Sequence, residues 1–293
     1  MKTKSLILIM LLFVVFINTT IKAQSDTSNL ITNKTYVIIT YSDAEFLGNI
    51  ISRDYKEIII DTKTKGKVSI PFYEIKDIKE VKNGEYTATG DYMPEQEFAS
   101  RYFITTNGFP IAKGEGYILW NLYGPDFQFG VSDNLSVGIL TTWSGMPIIA
   151  SAKYSHQLSE KAHLGIGTLL GTGSWAAPDF GLALPFAALS LGDRRSNINF
   201  SAGYGLIWAQ GESHGSLLFS VAGMTRVAKK VSLVFDSFIV SNAGVEGGIA
   251  MFIPGIRIQQ QSNKAFQFGF GGLLIDGELT PSPLPMIQWF RKF

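Results

Sequence analysis

The chain has 293 residues, no cysteine, and a formal net charge of +1 from 25 basic and 24 acidic residues. A charge balance this close to neutral argues against a nucleic-acid-binding protein, which needs a basic excess. The lack of cysteine excludes a disulfide scaffold, a thiol nucleophile, a cysteine zinc site and a lipid-modified cysteine anchor. A hydrophobic content of 46% with 30 Gly and 21 Phe excludes long disorder.

The N-terminus has the pattern of a secretory signal peptide. Lys2 and Lys4 precede an apolar run over residues 6–17, and Ala23 stands at the expected cleavage site. An apolar run of about 12 residues is too short to span a membrane. We therefore predict a signal peptide over residues 1–23, followed by an N-terminal tail over 24–33.

Residues 34–82 alternate as short strands separated by turn-forming residues. The expected strands are 35–40, 46–53, 57–62, 67–71 and 75–81. Five short strands predict a small SH3-like or Sm-like β-domain, and residues 48–51, 57–61, 66–71 and 75–78 resemble the bacterial Sm-like pattern. RNA binding is not expected, because residues 25–97 contain 9 basic and 13 acidic residues. A periplasmic spacer or docking module with an unknown partner is the favoured interpretation.

The rest of the chain is poor in charge. Charged residues make up 24 of the 196 residues in 98–293, against 22 of 73 in 25–97. Its apolar runs are interrupted by Gly and Pro, which argues against transmembrane helices. After a linker or plug at 83–113, residues 114–293 predict an all-β transmembrane antiparallel β-barrel of about twelve strands, although ten would also fit. The expected strands are 115–123, 127–132, 135–143, 147–157, 162–171, 180–191, 197–208, 215–226, 230–240, 248–259, 265–275 and 284–293.

Large apolar side chains alternate with small or polar ones along these strands, which suits lipid outside and a lumen inside. Two basic residues fall within strands and are expected in the lumen or at a rim, since a basic residue facing lipid costs about 2–4 kcal/mol. These charges suggest either an internal salt-bridge network or a selectivity ring in a narrow pore, and residues 98–113 could form a plug. The candidate lumen residues are His163, Asn197, Asn199, Ser201, Asp236 and Gln267, with Lys153 and Arg257 as the lumen or rim charges.

The two rims of the predicted barrel differ. If the small domain is periplasmic, the periplasmic turns hold most of the basic residues, and the outer loops hold Asp126, Asp179, Glu212, Asp276 and Glu278 without Lys or Arg. An aromatic girdle is expected at the interfaces. It comprises Trp120, Trp143, Trp175 and Trp208 near the outer rim and Trp289 near the inner rim.

Two further patterns concern strand ends. Pro147, Pro185, Pro254 and Pro285 are interpreted as strand entry points, because proline cannot donate to a sheet ladder. This interpretation shortens the sixth and tenth strands to about eight residues. The C-terminal Phe293 resembles the signal by which the barrel-assembly machinery recognises outer-membrane barrels.

Residues 101–103 with 110–117, and the hairpin 130–138 (GVSDNLSVG), resemble stretches of uncharacterised Bacteroidota outer-membrane barrel proteins. The resemblance implies an outer-membrane protein of a Gram-negative cell, and it implies no activity. We expect the N-terminal domain to lie in the periplasm. We expect a non-enzymatic small pore or structural envelope protein without metal or cofactor, whose partners are outer-membrane lipid and the assembly machinery. The alternatives are an outer-leaflet lipid hydrolase using His214 and a soluble secreted β-protein.

Overall fold

The computed structural model describes residues 34–81, 85–86, 90, 92–93, 96–241, 248–261, 263–275, 278–280 and 283–293. The predicted signal peptide and the tail at 24–33 lie outside these residues. The chain divides into two compact units, Met1–Met93 and Pro94–Phe293. In the described part of the chain, no helix is long and apolar enough to cross a membrane.

The first unit contains a five-stranded antiparallel sheet. Its strands are β1 Thr35–Thr40, β2 Glu45–Arg53, β3 Glu57–Thr62, β4 Gly66–Pro71 and β5 Ile75–Glu80, with a 3-10 turn at Phe72–Glu74. The strand order is β4-β3-β2-β1-β5, so the first strand lies between the second and the last. Alternate side chains form an apolar core of Tyr36, Ile38, Ile50, Ile58, Ile60, Ile70 and Ile75. Every expected strand is present to within one residue at either end.

The second unit is a closed barrel of twelve antiparallel strands. They are β6 Gly116–Asn121, β7 Gly124–Gly130, β8 Leu135–Thr141, β9 Ile148–Ser159, β10 Ala162–Gly173, β11 Ala177–Gly192, β12 Ser196–Ala209, β13 Glu212–Ala228, β14 Val231–Val240, β15 Ile249–Gln261, β16 Lys264–Ile275 and β18 Leu284–Lys292. A two-residue strand, β17 Glu278–Leu279, pairs only with β16. Each barrel strand pairs with the next, and β18 closes onto β6. The predicted all-β class and twelve-strand count are confirmed.

The barrel has two ends, named here by their connections. At the turn end, short turns join β7 to β8, β9 to β10 and so on, and the Phe293 amide donates to the Gly116 carbonyl at 3.1 Å. At the loop end lie the connections after β6, β8, β10, β12, β14 and β16. Both chain ends of the barrel therefore lie at the turn end.

The period-two pattern divides each strand between an outer and an inner face. In β12, Ile198 and Phe200 are exposed on the outer face, whereas Asn197 and Asn199 are buried in the lumen. Exposed apolar side chains continue around the outer face through Leu217, Phe219, Val221, Leu233, Phe235, Ile239, Phe268 and Phe270. An apolar outer face over a partly polar interior is the surface of a transmembrane β-barrel.

The interpretation of two prolines as strand entry points is wrong. Pro185 and Pro254 lie inside β11 and β15, which are 16 and 13 residues long rather than about eight. Each proline interrupts one ladder instead. On the side of β12, the register of β11 skips the two residues between Ala183 and Phe186. On the side of β16, the register of β15 skips the two residues between Phe252 and Gly255. The strand continues because the ladder on its other side is intact, with Pro185 opposite Thr168 and Pro254 opposite Phe235.

Candidate functional site: the barrel lumen

Residues 96–113, called here the plug segment, lie inside the barrel. The rings of Phe98, Tyr102, Phe103 and Phe109 are at most 2% exposed. Phe98 packs in one apolar cluster with Tyr117, Leu119, Ala265 and Phe290, and Tyr102 and Phe103 pack in another with Ala222, Met224, Val234, Ile253 and Met286. The lumen is therefore filled at this level by the chain's own residues.

Arg257, on β15, is fully buried and binds the backbone of the plug segment. Its guanidinium donates to the carbonyls of Phe98 at 2.7 Å and Arg101 at 2.6 Å, and to the Gln267 side chain at 2.6 Å. The guanidinium also lies 4.6 Å from the centre of the Phe290 ring. Every nitrogen of this group thus has a partner, which offsets the cost of burying the charge.

Asp236, on β14, binds the deepest part of the plug segment. Its carboxylate accepts the backbone amides of Ile104 at 2.7 Å and Thr105 at 2.9 Å, and the Thr105 hydroxyl at 2.6 Å. Asp236 is fully buried. Three donors converge on one carboxylate, so this contact fixes both the position and the direction of the segment.

Lys153, on β9, is the third buried charge that binds the plug segment, and its strand is distant from β14 and β15 in the barrel. Its ammonium donates to the carbonyls of Asn107 at 2.8 Å and Phe109 at 2.9 Å, and to the Thr106 hydroxyl at 3.1 Å. All three donors of the ammonium are used. The two predicted basic residues therefore both point inward.

An ion pair also joins the plug segment to the wall. The guanidinium of Arg101, in the plug segment, lies 2.9 Å from the carboxylate of Asp126 on β7. Asp126 is 1% exposed, so its expected place in an outer loop is wrong. The strands β6 and β7 are only six and seven residues long, and the inward side chain two residues after the turn already lies in the lumen.

Neutral polar side chains on the wall add further hydrogen bonds. The Tyr102 hydroxyl donates to Asn197 at 2.6 Å, and the Gly108 amide donates to Ser190 at 2.9 Å. Ser190 in turn donates to Asn199 at 2.8 Å. Gln288, on β18, donates to the Phe103 carbonyl at 2.7 Å. The sequence prediction missed Gln288, although the alternation of Ile287 and Trp289 in the last strand placed it on the inner face.

The other predicted lumen residues also lie near the plug segment. The Gln267 amide donates to the Tyr102 carbonyl at 3.3 Å and to Gln288 at 2.8 Å. The His163 ring lies 4.7 Å from the Phe109 ring. Ser201 is half-buried and lies 3.3 Å from the Asn199 amide. The lumen charges therefore bind mainly the plug segment. They form neither the selectivity ring of an open pore nor the internal salt-bridge network that the sequence suggested.

Two glycines make room for the ring of Phe103. A Cβ atom at Gly269 would lie 2.7 Å from Phe103 Cζ and 2.5 Å from the Pro254 carbonyl oxygen, and one at Gly255 would also meet the Phe103 ring. The two glycines face each other across β15 and β16. Only a residue without a side chain allows the ring to approach the wall this closely.

The predicted rim residues are distributed as follows. Trp143 and Trp175 are exposed in loop-end connections, and Trp208 lies near the loop end of β12. Trp120 and Trp289, expected at opposite rims, are register partners on β6 and β18, so their assignment to different rims is wrong. The cause is the shortness of β6. Phe293 is exposed at the turn end, 5.5 Å from the Phe129 ring.

Charges at the two ends differ in sign. The described loop-end residues include the exposed Asp179, Glu212 and Glu278 and no Lys or Arg, while Asp276 lies outside the described residues. The turn end carries the expected basic residues Lys161, Arg194, Arg195, Lys229, Lys230, Lys264, Arg291 and Lys292, together with the acidic residues Glu115, Asp133, Glu160 and Asp193. Arg194 also donates to the Pro110 carbonyl of the plug segment at 2.6 Å.

His214 lies on the exposed loop-end part of β13. Its Nε2 is 3.8 Å from the Glu212 carboxylate, and both side chains are 83% exposed. Within the described residues, no group of three or more His, Asp or Glu side chains could hold a metal ion.

No family model matches the chain, and no curated protein matches it in sequence. Solved structures of similar fold include two porins and one further outer-membrane protein. The KdgM porin in complex with disordered oligogalacturonate aligns at 8% identity and a TM-score of 0.44 over 61% of this chain and 98% of its own. The NanC porin aligns at 10% identity and a TM-score of 0.39, over 61% of this chain and 97% of its own. The loop L8 deletion mutant of OmpT, an outer-membrane protein of Vibrio cholerae, aligns at 11% identity and a TM-score of 0.37, over 89% of this chain and 96% of its own.

Proposed function

We propose that this chain is a non-enzymatic integral outer-membrane β-barrel whose lumen is closed at rest by its own plug segment. The barrel contacts outer-membrane lipid through its apolar outer face. The closed state is a gated small pore, and a permanently closed envelope protein is the alternative. The observation that carries the proposal is the binding of three buried wall charges, Lys153, Asp236 and Arg257, to the plug segment.

The energetics favour the closed state. Removing the partner of a buried charge costs about 3–5 kcal/mol where the charge stays buried and unpaired. Departure of the plug segment would have to replace the partners of Lys153, Asp236 and Arg257 with water. The segment is therefore not expected to leave without a further input of free energy.

A gate is favoured over a permanent seal because the plugged wall is polar. Asn197, Asn199, Ser232 and Gln267 face the lumen and are buried by the plug segment. A permanently filled barrel could use apolar packing alone, which avoids the cost of desolvating polar groups. A polar wall can hold water once the segment moves, as the interior of an open barrel does.

The small domain and the chain end extend the proposal. The domain at 34–82 lies in the periplasm as an Sm-like docking module for a periplasmic partner, and it does not bind nucleic acid. Phe293 is the residue that the barrel-assembly machinery recognises. The resemblance of residues 101–103, 110–117 and 130–138 to Bacteroidota barrel proteins supports an origin in a Gram-negative outer membrane.

A reversible lock tests the gate. The chain has no cysteine, so the double variant Thr105→Cys/Asp236→Cys places the only two thiols where plug and wall touch through the 2.6 Å hydrogen bond. In planar bilayers, the oxidised variant should stay closed, and reduction should raise the frequency of conducting events because Asp236 no longer binds the plug segment. Each single-cysteine variant is a control that should not respond to oxidation.

Equal conductance in the oxidised and reduced states, with the disulfide verified by mass spectrometry, would contradict the gate. Closed behaviour in both states would favour the permanent envelope protein. Continuous conductance in both states would mean that the plug segment does not block ions.

A further inference from the structure

The lumen changes character on the loop-end side of the plug segment. The strand register aligns inward-facing Phe186, Gly203, Leu218, Val240, Ile249 and Ile275 across β11 to β16. The neighbouring inward row on β14 to β16 aligns Phe238, Met251 and Leu273. We call these two rows the apolar vestibule.

The direction of these side chains follows from the alternation along each strand. Val240 and Phe238 share the face of the buried Asp236, and Ile249 and Met251 share the face of the buried Arg257. All eight large side chains of the vestibule are half-buried, whereas the outward neighbours Leu217 and Ile239 are 49% and 52% exposed. The barrel therefore has apolar side chains on both faces of its wall at this level.

No residue of the vestibule is charged. The charge that continues the Phe186 row is Lys153, opposite Gly167, and its ammonium is fully used by the plug segment. The floor is apolar as well, because Met251 packs against the cluster of Ala99, Tyr102 and Phe103. Polar residues line the water-filled interior of a barrel, and these two rows offer none, so this side of the lumen has no polar partner for an ion or a sugar.

We propose that the apolar vestibule binds a small neutral hydrophobic molecule, of the size of a single alkyl chain, that enters from the loop end. A concave apolar surface with few polar groups is the usual lining of a small-molecule site. Twelve strands about 4.8 Å apart and tilted about 40° give a backbone radius of about 12 Å. With side chains filling part of that radius, the space admits an alkyl chain and excludes a folded protein.

The charge of the ligand follows from the loop-end rim. The described rim residues include Asp179, Glu212 and Glu278, all exposed, and no Lys or Arg. These carboxylates repel an anionic head group and offer it no partner. The rim carboxylates disfavour an anion, and the vestibule has no acidic residue to hold a cation, so the preferred ligand is an uncharged amphiphile such as a long-chain alcohol.

Photolabelling of the full chain in lipid nanodiscs tests the assignment. The probe is a neutral 12-carbon alkanol with a diazirine near its methyl end, and the labelled residues are mapped by mass spectrometry. We expect label on Leu218, Phe238 and Met251. Excess dodecan-1-ol should compete for these positions, whereas dodecanoate at pH 8 should compete at least about tenfold more weakly, a difference of about 1.4 kcal/mol.

Paired variants on one strand separate the vestibule from the lipid face. Leu218→Gln should reduce labelling of Phe238 and Met251 several-fold, whereas the adjacent, lipid-facing Leu217→Gln should leave it unchanged. Label confined to outward residues such as Leu217 and Phe219, or equal competition by dodecanoate, would overturn the proposal. These readouts do not depend on conductance, so this proposal and the plug gate can fail separately.

Discussion

Arg257 is the wall residue whose loss is expected to disturb the plug segment most, because it binds two carbonyls of that segment. Arg257→Met keeps much of the apolar stem but leaves the carbonyls of Phe98 and Arg101 without their donor. Each buried carbonyl left without its donor costs about 1–3 kcal/mol. We expect more frequent conducting events in planar bilayers and a lower temperature for the gel-mobility shift on heating.

The matched control is Arg291→Met, which removes an exposed arginine from β18. Surface charges of this kind contribute about 0–1 kcal/mol, so both readouts should stay close to those of the unsubstituted protein. Identical behaviour of the two variants would show that Arg257 does not hold the plug segment.

Gly269 tests the close approach of Phe103 to the wall. A methyl group in Gly269→Ala would lie 2.5 Å from the Pro254 carbonyl oxygen and 2.7 Å from Phe103 Cζ, and overpacking of this kind costs about 1–3 kcal/mol. The ring and its segment should shift. A Thr105→Cys reporter is the only thiol in a chain without other cysteines. It should react faster with a maleimide in the Gly269→Ala variant than in the chain that keeps Gly269.

Gly271→Ala on the same strand is the control for that reporter. Its new methyl group would find its nearest atoms at 3.6 Å, an ordinary contact. The reporter should keep its slow labelling rate. If both alanine variants label equally fast, the approach of Phe103 to Gly269 does not limit movement of the plug segment.

At the scale of one strand, β13 tests which face meets lipid. Phe219 is outward-facing and 48% exposed in the strand interior, and Phe219→Lys would place a charge among acyl chains at a cost of about 2–4 kcal/mol. We expect less folded barrel in the outer-membrane fraction, measured as the species that shifts on boiling. Glu212→Lys, at the loop-end tip of the same strand, should assemble normally. Equal amounts of the heat-shifted species for both variants would mean that Phe219 does not face the acyl chains.

The strands were predictable because their chemistry is local. Period-two alternation in a stretch such as residues 197–208 records which side of the wall each residue faces, so the faces and ends of β12 follow from the sequence alone. Pro185 and Pro254 misled the prediction because a strand paired on both sides tolerates the loss of one ladder bond when its other ladder is intact.

The site was only partly predictable because it depends on contacts between distant residues. The sequence identified Lys153, Asp236 and Arg257 as inward candidates, but their partners at 98–109 have no strand periodicity that would place them. Asp126 was misplaced because the shortness of β7 is not visible in its composition. The apolar vestibule was missed, since it becomes visible only when the register joins single inward residues of six strands.

For the whole molecule, the two units are expected to fold without each other's cores. The apolar core of the first unit lies within residues 36–75, and the barrel closes through its own twelve strands. A chain lacking residues 34–81 should therefore still reach the outer membrane and shift on boiling. Loss of the heat-shifted species in this deletion, with unchanged expression, would show that the small domain is needed for barrel assembly.

Removal of residues 96–113 should convert the molecule into an open pore with a preference for anions. Without the plug segment, water can reach the wall charges, so their burial cost disappears and the barrel should remain folded. Among the described inward-facing residues of the strands at this level, four are basic and two acidic, namely Lys153, Arg226, Arg257 and Lys292 against Asp126 and Asp236, while Arg194 and Glu115 lie at the turn end. A positively charged ring favours anions. In a KCl gradient, the reversal potential should therefore lie closer to the equilibrium potential of chloride than to that of potassium. Adding Lys153→Gln/Arg257→Gln to this deletion should move the reversal potential towards zero. A cation preference of the deletion without these substitutions would mean that the two residues do not line the open path.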